Sequence, residues 1–215
     1  GRGDGTFAAE VRVPTSQHAV DVLAADVDGD GVGDLIVTFV TGTSVLMAGV
    51  GDGTFGPESP ITDGSWKLHL ADFNGDGIVD LLKDGGGSGY PSFQALIGQG
   101  DGTFTAAPAV DPGPSFGPIP ADVNDDGRDD VLLMTDDHPL LTNEIVIYLG
   151  AGDGTFTPAG SIATGEYAYL VLPADLDGDG HLDLGVDTIH WVDGQFGVPG
   201  PFFTYYGAGD GTFAS

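Results

Sequence analysis

The chain has no cysteine in 215 residues. Disulfides, thiolate metal sites and a cysteine nucleophile are thereby excluded. Basic residues are nearly as scarce: five Lys and Arg stand against 33 Asp and Glu, for a formal charge of −28. No basic patch can form, so nucleic acid and anionic membrane surfaces, which need Lys and Arg to displace counterions, are poor partners. No apolar run approaches about 20 residues, so no membrane insertion through a helix is expected. No long stretch combines helical periodicity with caps, and little helix is expected. Nucleophile elbows, phosphate-cradling Gly-Lys-Ser/Thr loops and His-Glu-x-x-His pairs are missing too. The five histidines (His18, His69, His138, His181, His190) are scattered. No catalytic residue is assigned, and the chain reads as a non-enzyme. Acid pairs such as Asp136 with Asp137, or Glu144 with Glu166, leave glycosidase-type acid/base work as a minor alternative.

What the chain has instead is glycine, 38 residues of it at recurring turn positions, and aspartate in one repeated nine-residue pattern. The pattern runs from Asp26 to Asp34, Asp72 to Asp80, Asp122 to Asp130 and Asp175 to Asp183. Positions one, three, five and nine carry Asp26, Asp28, Asp30, Asp34; Asp72, Asn74, Asp76, Asp80; Asp122, Asn124, Asp126, Asp130; and Asp175, Asp177, Asp179, Asp183. Glycine holds position six in every copy, and a sharp bend there turns alternate side-chain oxygens inward onto one point. Hard oxygen ligands at this spacing suit calcium, which takes about 6–8 oxygens in flexible geometry. The backbone carbonyl of position seven (Val32, Ile78, Arg128, His181) is a natural further ligand. Closely spaced carboxylates repel, and a divalent cation relieves that repulsion.

One such loop could be a solvated turn; four in the same register point to a metal site. The expectation is about four calcium ions, one per loop. The loop is not an EF-hand, which needs a bidentate Glu at position 12 and flanking helices. Position 12 here is Val37, Lys83, Leu133 and Val186, and the residues after position nine are β-rich.

A second element, Asp-Gly-Thr-Phe, recurs at Asp4–Phe7, Asp52–Phe55, Asp101–Phe104, Asp153–Phe156 and Asp210–Phe213. Repeats at such spacing indicate propeller blades, solenoids or arrays. Each unit reads as four strands. In the first unit they are Ala19 to Ala25 before the loop, Leu35 to Val40 after it, Val45 to Ala48, and Gly56 to Ile61 after the Asp-Gly-Thr-Phe turn. Third strands in the other units are expected at Phe93–Ile97, Glu144–Leu149 and Pro201–Tyr206. An alanine precedes each loop (Ala25, Ala71, Ala121, Ala174), as a crowded position near a central axis requires.

The pattern Asp-x-Asp/Asn-x-Asp-Gly-x-x-Asp, followed by strands and Gly-x-Gly-Asp-Gly-Thr-Phe, resembles the FG-GAP/VCBS family of calcium-binding repeats over essentially the whole chain. The resemblance implies an all-β protein, a β-propeller with one calcium in the loop between strands one and two of each blade. Four blades of four antiparallel strands are expected in a single domain spanning residues 1–215. Blade boundaries fall at 16–62, 63–111, 112–160 and 161–215, with 1–15 as a closing strand. The run Thr6 to Val13 is expected to complete the last blade and remove an open edge. Closure as a four-bladed ring, membership of a larger ring, and pairing of two halves all remain open; the chain is a monomer or a self-assembly of propeller halves.

The resemblance further implies an extracellular or cell-surface binding module. Carbohydrate is the favoured ligand and an extracellular protein the runner-up. Six residues before each loop stand Val20, Trp66, Phe116 and Tyr169, a candidate ring of stacking surfaces with His69, Lys67 and Tyr167 as polar neighbours; the alternative is packing between inner strands. Loops differ most between repeats at 85–91, 136–143 and 188–199, which makes Trp191, Tyr90 and His138 further ligand candidates.

Overall fold

The computed structural model describes residues 3–7, 9–85, 92–113, 115–135, 143–192 and 195–214. The described residues form four four-stranded antiparallel sheets and no helix. The first sheet holds β1 (Ala19–Ala25), β2 (Asp34–Phe39), β3 (Ser44–Met47) and β4 (Ser59–Thr62). The second holds β5 (Ser65–Ala71), β6 (Asp80–Gly85), β7 (Ser92–Gly98) and β8 (Phe104–Ala106). The third holds β9 (Ser115–Ala121), β10 (Asp130–Thr135), β11 (Glu144–Gly150) and β12 (Phe156–Ala163). The fourth holds β13 (Tyr167–Ala174), β14 (Asp183–Val192), β15 (Gln195–Gly207) and β16 (Phe213–Ala214). Strands neighbour one another in chain order in every sheet.

The second strands explain how the sheets stack. Their runs, such as Asp130-Val131-Leu132-Leu133-Met134, are apolar without alternation and are buried on both faces. Successive side chains on a strand point to opposite faces, and here each face serves a different neighbour. Leu132 and Met134 pack with Leu184 and Val186 of the fourth sheet. Val131 and Leu133 pack with Leu82 and Phe93 of the second. Leu81 of the second packs in turn with Ile36 and Leu46 of the first. Each internal interface thus joins the residue two after position nine of one repeat to the residue one after it in the next. Aromatic edges fill the junction of sheets two and three, where Phe156 meets Phe73 at 5.2 Å and Phe93 at 5.3 Å.

Two expectations are corrected. The N-terminal run does not complete the last sheet. Residues 9–15 form no strand, Val13 packs on Val37, Phe39, Val45 and Met47 of the first sheet, and Ser16 donates to Glu58 through its N–H at 2.6 Å. The fourth strand of the last sheet is its own β16, paired as Tyr206 with Ala214 and Gly207 with Phe213. No sheet closes on itself. The physical reason is that the first sheet has its own apolar outer face to cover, and Val13 is the nearest residue in sequence able to cover it. The second correction concerns 188–199, expected to be irregular. The β14–β15 ladder continues through it, pairing Ile189 with Pro199, His190 with Val198 and Trp191 with Phe196, with register shifts that absorb the irregularity.

One glycine position is dictated by close approach. Gly98, Gly150 and Gly207 end the third strands and Gly49 lies two residues past β3, and a Cβ on any of them would run into the carbonyl oxygen of loop position eight (Gly33, Val79, Asp129 or Leu182). Only a bare backbone brings the loop this near. Gly98→Ala should therefore destabilise the fold by about 2 kcal/mol or more, the scale of overpacking a close contact. Chemical denaturation checks this; an unchanged midpoint would remove the close-approach argument.

Candidate metal centre

Each acidic loop is wound around its own side chains. The first aspartate accepts two backbone N–H bonds: Asp26 takes Gly29 and Gly31, both at 2.9 Å. Asp72 takes Gly75 at 2.8 Å and Gly77 at 2.9 Å. Asp175 takes Gly178 at 2.6 Å and Gly180 at 3.1 Å. Asp122 takes Asp126 at 3.1 Å and Gly127 at 2.8 Å. Position three accepts from position five, and position five from position seven, as in Asp28 with Asp30 at 3.2 Å and Asp30 with Val32 at 2.7 Å. Such Asx-type bonds curl the loop so that the remaining carboxylate oxygens converge.

Position nine does something else. Asp34, Asp80, Asp130 and Asp183 are fully buried. In each, one oxygen accepts the N–H of loop position two and the other accepts the N–H of the glycine ending the third strand. Asp80 takes Phe73 at 2.8 Å and Gly98 at 2.7 Å; Asp130 takes Val123 at 3.1 Å and Gly150 at 2.8 Å. Asp34 takes Val27 and Gly49, both at 2.8 Å, and Asp183 takes Leu176 and Gly207, both at 2.9 Å. Sequence reasoning assigned these four residues as ligands and missed the tie. The invariable glycine after each third strand was the available signal.

Carboxylate oxygens come together most closely in two loops. Asp26, Asp28 and Asp34 in the first, and Asp175, Asp177 and Asp179 in the fourth, place one oxygen each within 4.8 Å of one another. All donors are hard oxygens, so the set fits calcium or magnesium in kind. In the second and third loops Asn replaces Asp at position three. There a side-chain N–H stands against position five, Asn74 donating to Asp76 at 2.8 Å and Asn124 to Asp126 at 3.2 Å. Arg128 adds a 2.7 Å ion pair to Asp126.

Protonation follows burial. Desolvation raises Asp28, raises Asp80 despite its two N–H partners, and pushes Asp130 up to about 6. Asp183 moves the other way, held down first by the Gly207 N–H and also by His181. Loop four is the most exposed of the four, with residues 175–180 all open to solvent, and the N–H bonds to Asp183 outweigh its desolvation.

The loops also touch one another. Asp129 accepts the Asp72 N–H at 2.8 Å, and its own N–H donates to the Asp72 carbonyl at 2.8 Å. His181 hydrogen-bonds Asp125, which raises the imidazole pKa. Asp125 is the one described non-glycine residue with positive φ, 56°, at a place where the other loops have Gly29, Gly75 and Gly178.

The ligand candidates scatter. Phe116 is half-buried and stacks on Tyr167, with centroids 5.5 Å apart and planes at 14°. Tyr169 stands apart, 58% exposed. His69 is half-buried with Nε2 unpartnered, and burial, reinforced by Lys67, pulls its pKa down to about 4. Trp66 and Trp191 lie in β5 and β14, with side chains outside the described residues, as are Tyr90, His138, Asp136 and Asp137 altogether. Of the expected ring, the structure brings together Phe116 and Tyr167.

Residues 122–186 match the FG-GAP-like repeat family, a span that opens on the first aspartate of loop three and closes just after loop four. A search of curated proteins finds no match to the chain. FG-GAP repeats commonly bind calcium, are typical of extracellular or cell-surface proteins, and generally belong to non-catalytic binding modules. No helix among the described residues is long and apolar enough to cross a membrane.

The two kinds of aspartate should separate by mutation. Asp80→Ala strands two buried N–H groups and should cost about 2–5 kcal/mol in calcium-free buffer, whereas Asp76→Ala should leave calcium-free stability within about 0.5 kcal/mol. Equal losses on denaturation would refute the distinction. A second outcome concerns pH. The folded pKa of Asp130, about 6, lies above the ordinary 3.8, so its protonated form favours folding. That contribution is full below the ordinary value and fades as pH rises through the folded one. The stability of Asp130→Asn relative to wild type should therefore increase between pH 4 and pH 7 without calcium. A constant difference in denaturation free energy would count against the shift.

Proposed function

We propose that the chain is a calcium-stabilised, non-catalytic binding module acting outside the cell. Its four sheets are the blades of a propeller-type array in one domain, and its ligand class is carbohydrate. Nucleic acid and lipid surfaces fall outside this reading, given the charge of −28.

The observation that carries the calcium reading is the four-times-repeated loop geometry. Backbone N–H groups hold both oxygens of the position-one carboxylate and one oxygen at positions three and five, and in loops one and four three carboxylates converge. The side chains of positions one, three, five and nine would hold the ion, together with the carbonyls of Val32, Ile78, Arg128 and His181. Asn74 and Asn124 would serve through their amide oxygens. A bound divalent cation supplies positive charge where three or more carboxylates meet. The protein's own part is to pre-form the turn and fix the loop to the third strand. Because the folded loops bind the ion better than the open chain does, loading adds directly to stability.

Carbohydrate is favoured over protein by the flat aromatic pair of Phe116 and Tyr167 and by exposed Tyr169 on the neighbouring inner strands β9 and β13. Sugar rings stack on such faces while nearby polar groups read their hydroxyls.

The test is a glycan array probed with calcium-loaded protein, alongside thermal melts with calcium and with chelator. Hits that weaken on Tyr169→Ala, with a melt lowered by many degrees in chelator, are the expected result. A blank array on well-folded protein would overturn the carbohydrate reading and favour a protein partner. An unchanged melt in chelator would overturn the structural role of calcium.

A further inference from the structure

Loops two and three meet at one peptide group. The peptide joining Arg128 to Asp129 carries on one side the Arg128 carbonyl, which stands among the oxygens assigned above to the ion of loop three. On the other side its N–H donates to the Asp72 carbonyl at 2.8 Å. The Asp129 side chain completes a clasp by accepting the Asp72 N–H at 2.8 Å, in a partly buried position. Asp72 is therefore held through both of its backbone groups. It is also the residue on which loop two winds, since its carboxylate oxygens take the N–H groups of Gly75 and Gly77. The two loops pack directly as well. A Cβ on Gly75 would lie 3.1 Å from the Gly127 carbonyl oxygen and 3.3 Å from Cγ of Arg128.

Among the described residues no other junction is built this way. Position eight is Gly33, Val79 and Leu182 in the other loops, and none of these side chains can accept a hydrogen bond. Their N–H groups make no bond to a neighbouring loop. Loop one lies against the turn that precedes β8, with the Gly100 carbonyl oxygen 3.4 Å from a Cβ on Gly29. Loop four reaches loop three by a bond between side chains, the His181 ring on Asp125.

We propose that Asp129 is a positioning residue that couples the ion sites of loops two and three, so that filling either one tightens the other. The inference rests on the calcium reading above and goes beyond it, because four separate sites would satisfy that reading equally. Hydrogen-bonded groups in series polarise one another. With its carbonyl engaged by a cation, the Arg128–Asp129 peptide is a stronger donor to Asp72. Asp72 is then already oriented, and ordering loop two costs less. By linkage the effect is equal in both directions. Charge opposes it, since a filled loop attracts a neighbouring cation less. That opposition is screened over about 8 Å at physiological salt, whereas the clasp is shielded from solvent. Loop three also stays acidic when filled, because Asp125 and Asp129 add to Asp122, Asp126 and Asp130 and only Arg128 offsets them.

The test is a calcium titration followed by amide NMR at physiological salt. It reads the position-six glycines Gly31, Gly77, Gly127 and Gly180, each of whose N–H groups bonds the first aspartate of its own loop. Gly77 and Gly127 should move together, in a transition steeper than a single site gives, while Gly31 follows a simple curve. Asp129→Leu, which installs the side chain found at this position in loop four, should separate them into two simple transitions. Asp129→Asn keeps an acceptor oxygen and should retain the joint transition, which a role in charge alone does not predict. Asp76→Ala should leave Gly77 still and weaken the Gly127 midpoint about fivefold or more; Asp126→Ala should weaken Gly77 by the same factor, and Asp30→Ala should do neither. Unchanged circular dichroism certifies each variant, and the Asp76→Ala and Asp126→Ala pair decides alone should Asp129→Leu fail to fold. An unchanged Gly127 midpoint in Asp76→Ala overturns the coupling and leaves the calcium reading intact. An Asp129→Leu variant that keeps the joint transition overturns the role of Asp129. Glycines that stay still throughout the titration overturn both the coupling and the calcium reading.

Discussion

Asp34, Asp80, Asp130 and Asp183 are carboxylates with no exposed surface, and a carboxylate taken out of water costs several kcal/mol unless its oxygens are satisfied. Each is satisfied in the same way. One oxygen takes the N–H at loop position two and the other takes the N–H at the end of the third strand. That pair of bonds is the constraint on which the repeat is built. It fixes the loop over the end of the sheet and sets the register between the second and third strands. It also demands a glycine beneath the loop, since a side chain there would meet the position-eight carbonyl. The Asp-Gly-Thr-Phe turn follows immediately. Its aspartate accepts from both the N–H and the hydroxyl of the threonine, as Asp101 does from Thr103 at 3.0 and 2.5 Å, so the chain reverses straight into the fourth strand.

With position nine held inside, the acids at positions one, three and five are left to face outward together. Their backbone partners neutralise part of each side chain but none of the net charge. The protein therefore concentrates like charge at one end of every sheet while keeping the tie below it buried and uncharged partners around it. A divalent ion in such a loop acts on a turn already formed, so its effect on folding comes from charge relief rather than from shaping the chain. The scarcity of Lys and Arg points the same way, because the protein has almost no cations of its own to set against 33 acids. Where it does spend one, at Arg128, the guanidinium pairs with Asp126 in a loop whose third position is already the uncharged Asn124.

Much of this was legible in the residues because the repeat is strict. Fourfold Asp spacing, the preceding alanines and the apolar runs after each loop locate the first three strands of every sheet to within a few residues. The fourth strands were harder. β4 begins at Ser59 and β16 is only Phe213–Ala214, because edge strands carry little apolar patterning to mark them. The N-terminal run illustrates a different limit. Val11-Arg12-Val13 alternates as a strand does, yet Val13 settles where a free face lies nearest, on the first sheet, and Val11 stays exposed. Alternation tells which side chains want burial but not which surface will bury them. The aromatic positions failed for a related reason. The β9–β10 and β13–β14 pairings carry register shifts at Leu132/Met134 and Ala168/Leu170, so counting back from the loop does not keep faces in phase, and Phe116 finds Tyr167 in place of Tyr169.

The departures from the repeat are as informative as the repeat. Asp125 occupies a left-handed position that the other loops fill with glycine, and such a conformation costs a non-glycine residue of order 1 kcal/mol. Asp129 puts a carboxylate where the others have Gly33, Val79 and Leu182. Both substitutions fall in loop three, and both are answered across a sheet boundary: Asp129 by the Asp72 backbone, Asp125 by the His181 ring. The third loop is thus fastened on either side to loops two and four. It can be so because it alone of the loops carries a cation, Arg128, to offset the added charge. Loop one lies at the other end of the chain of sheets and keeps the plain pattern with glycine at the left-handed position. A local rule broken twice in one loop, with a partner found each time in a neighbouring repeat, marks the third repeat as the one fastened through its loop to both neighbours.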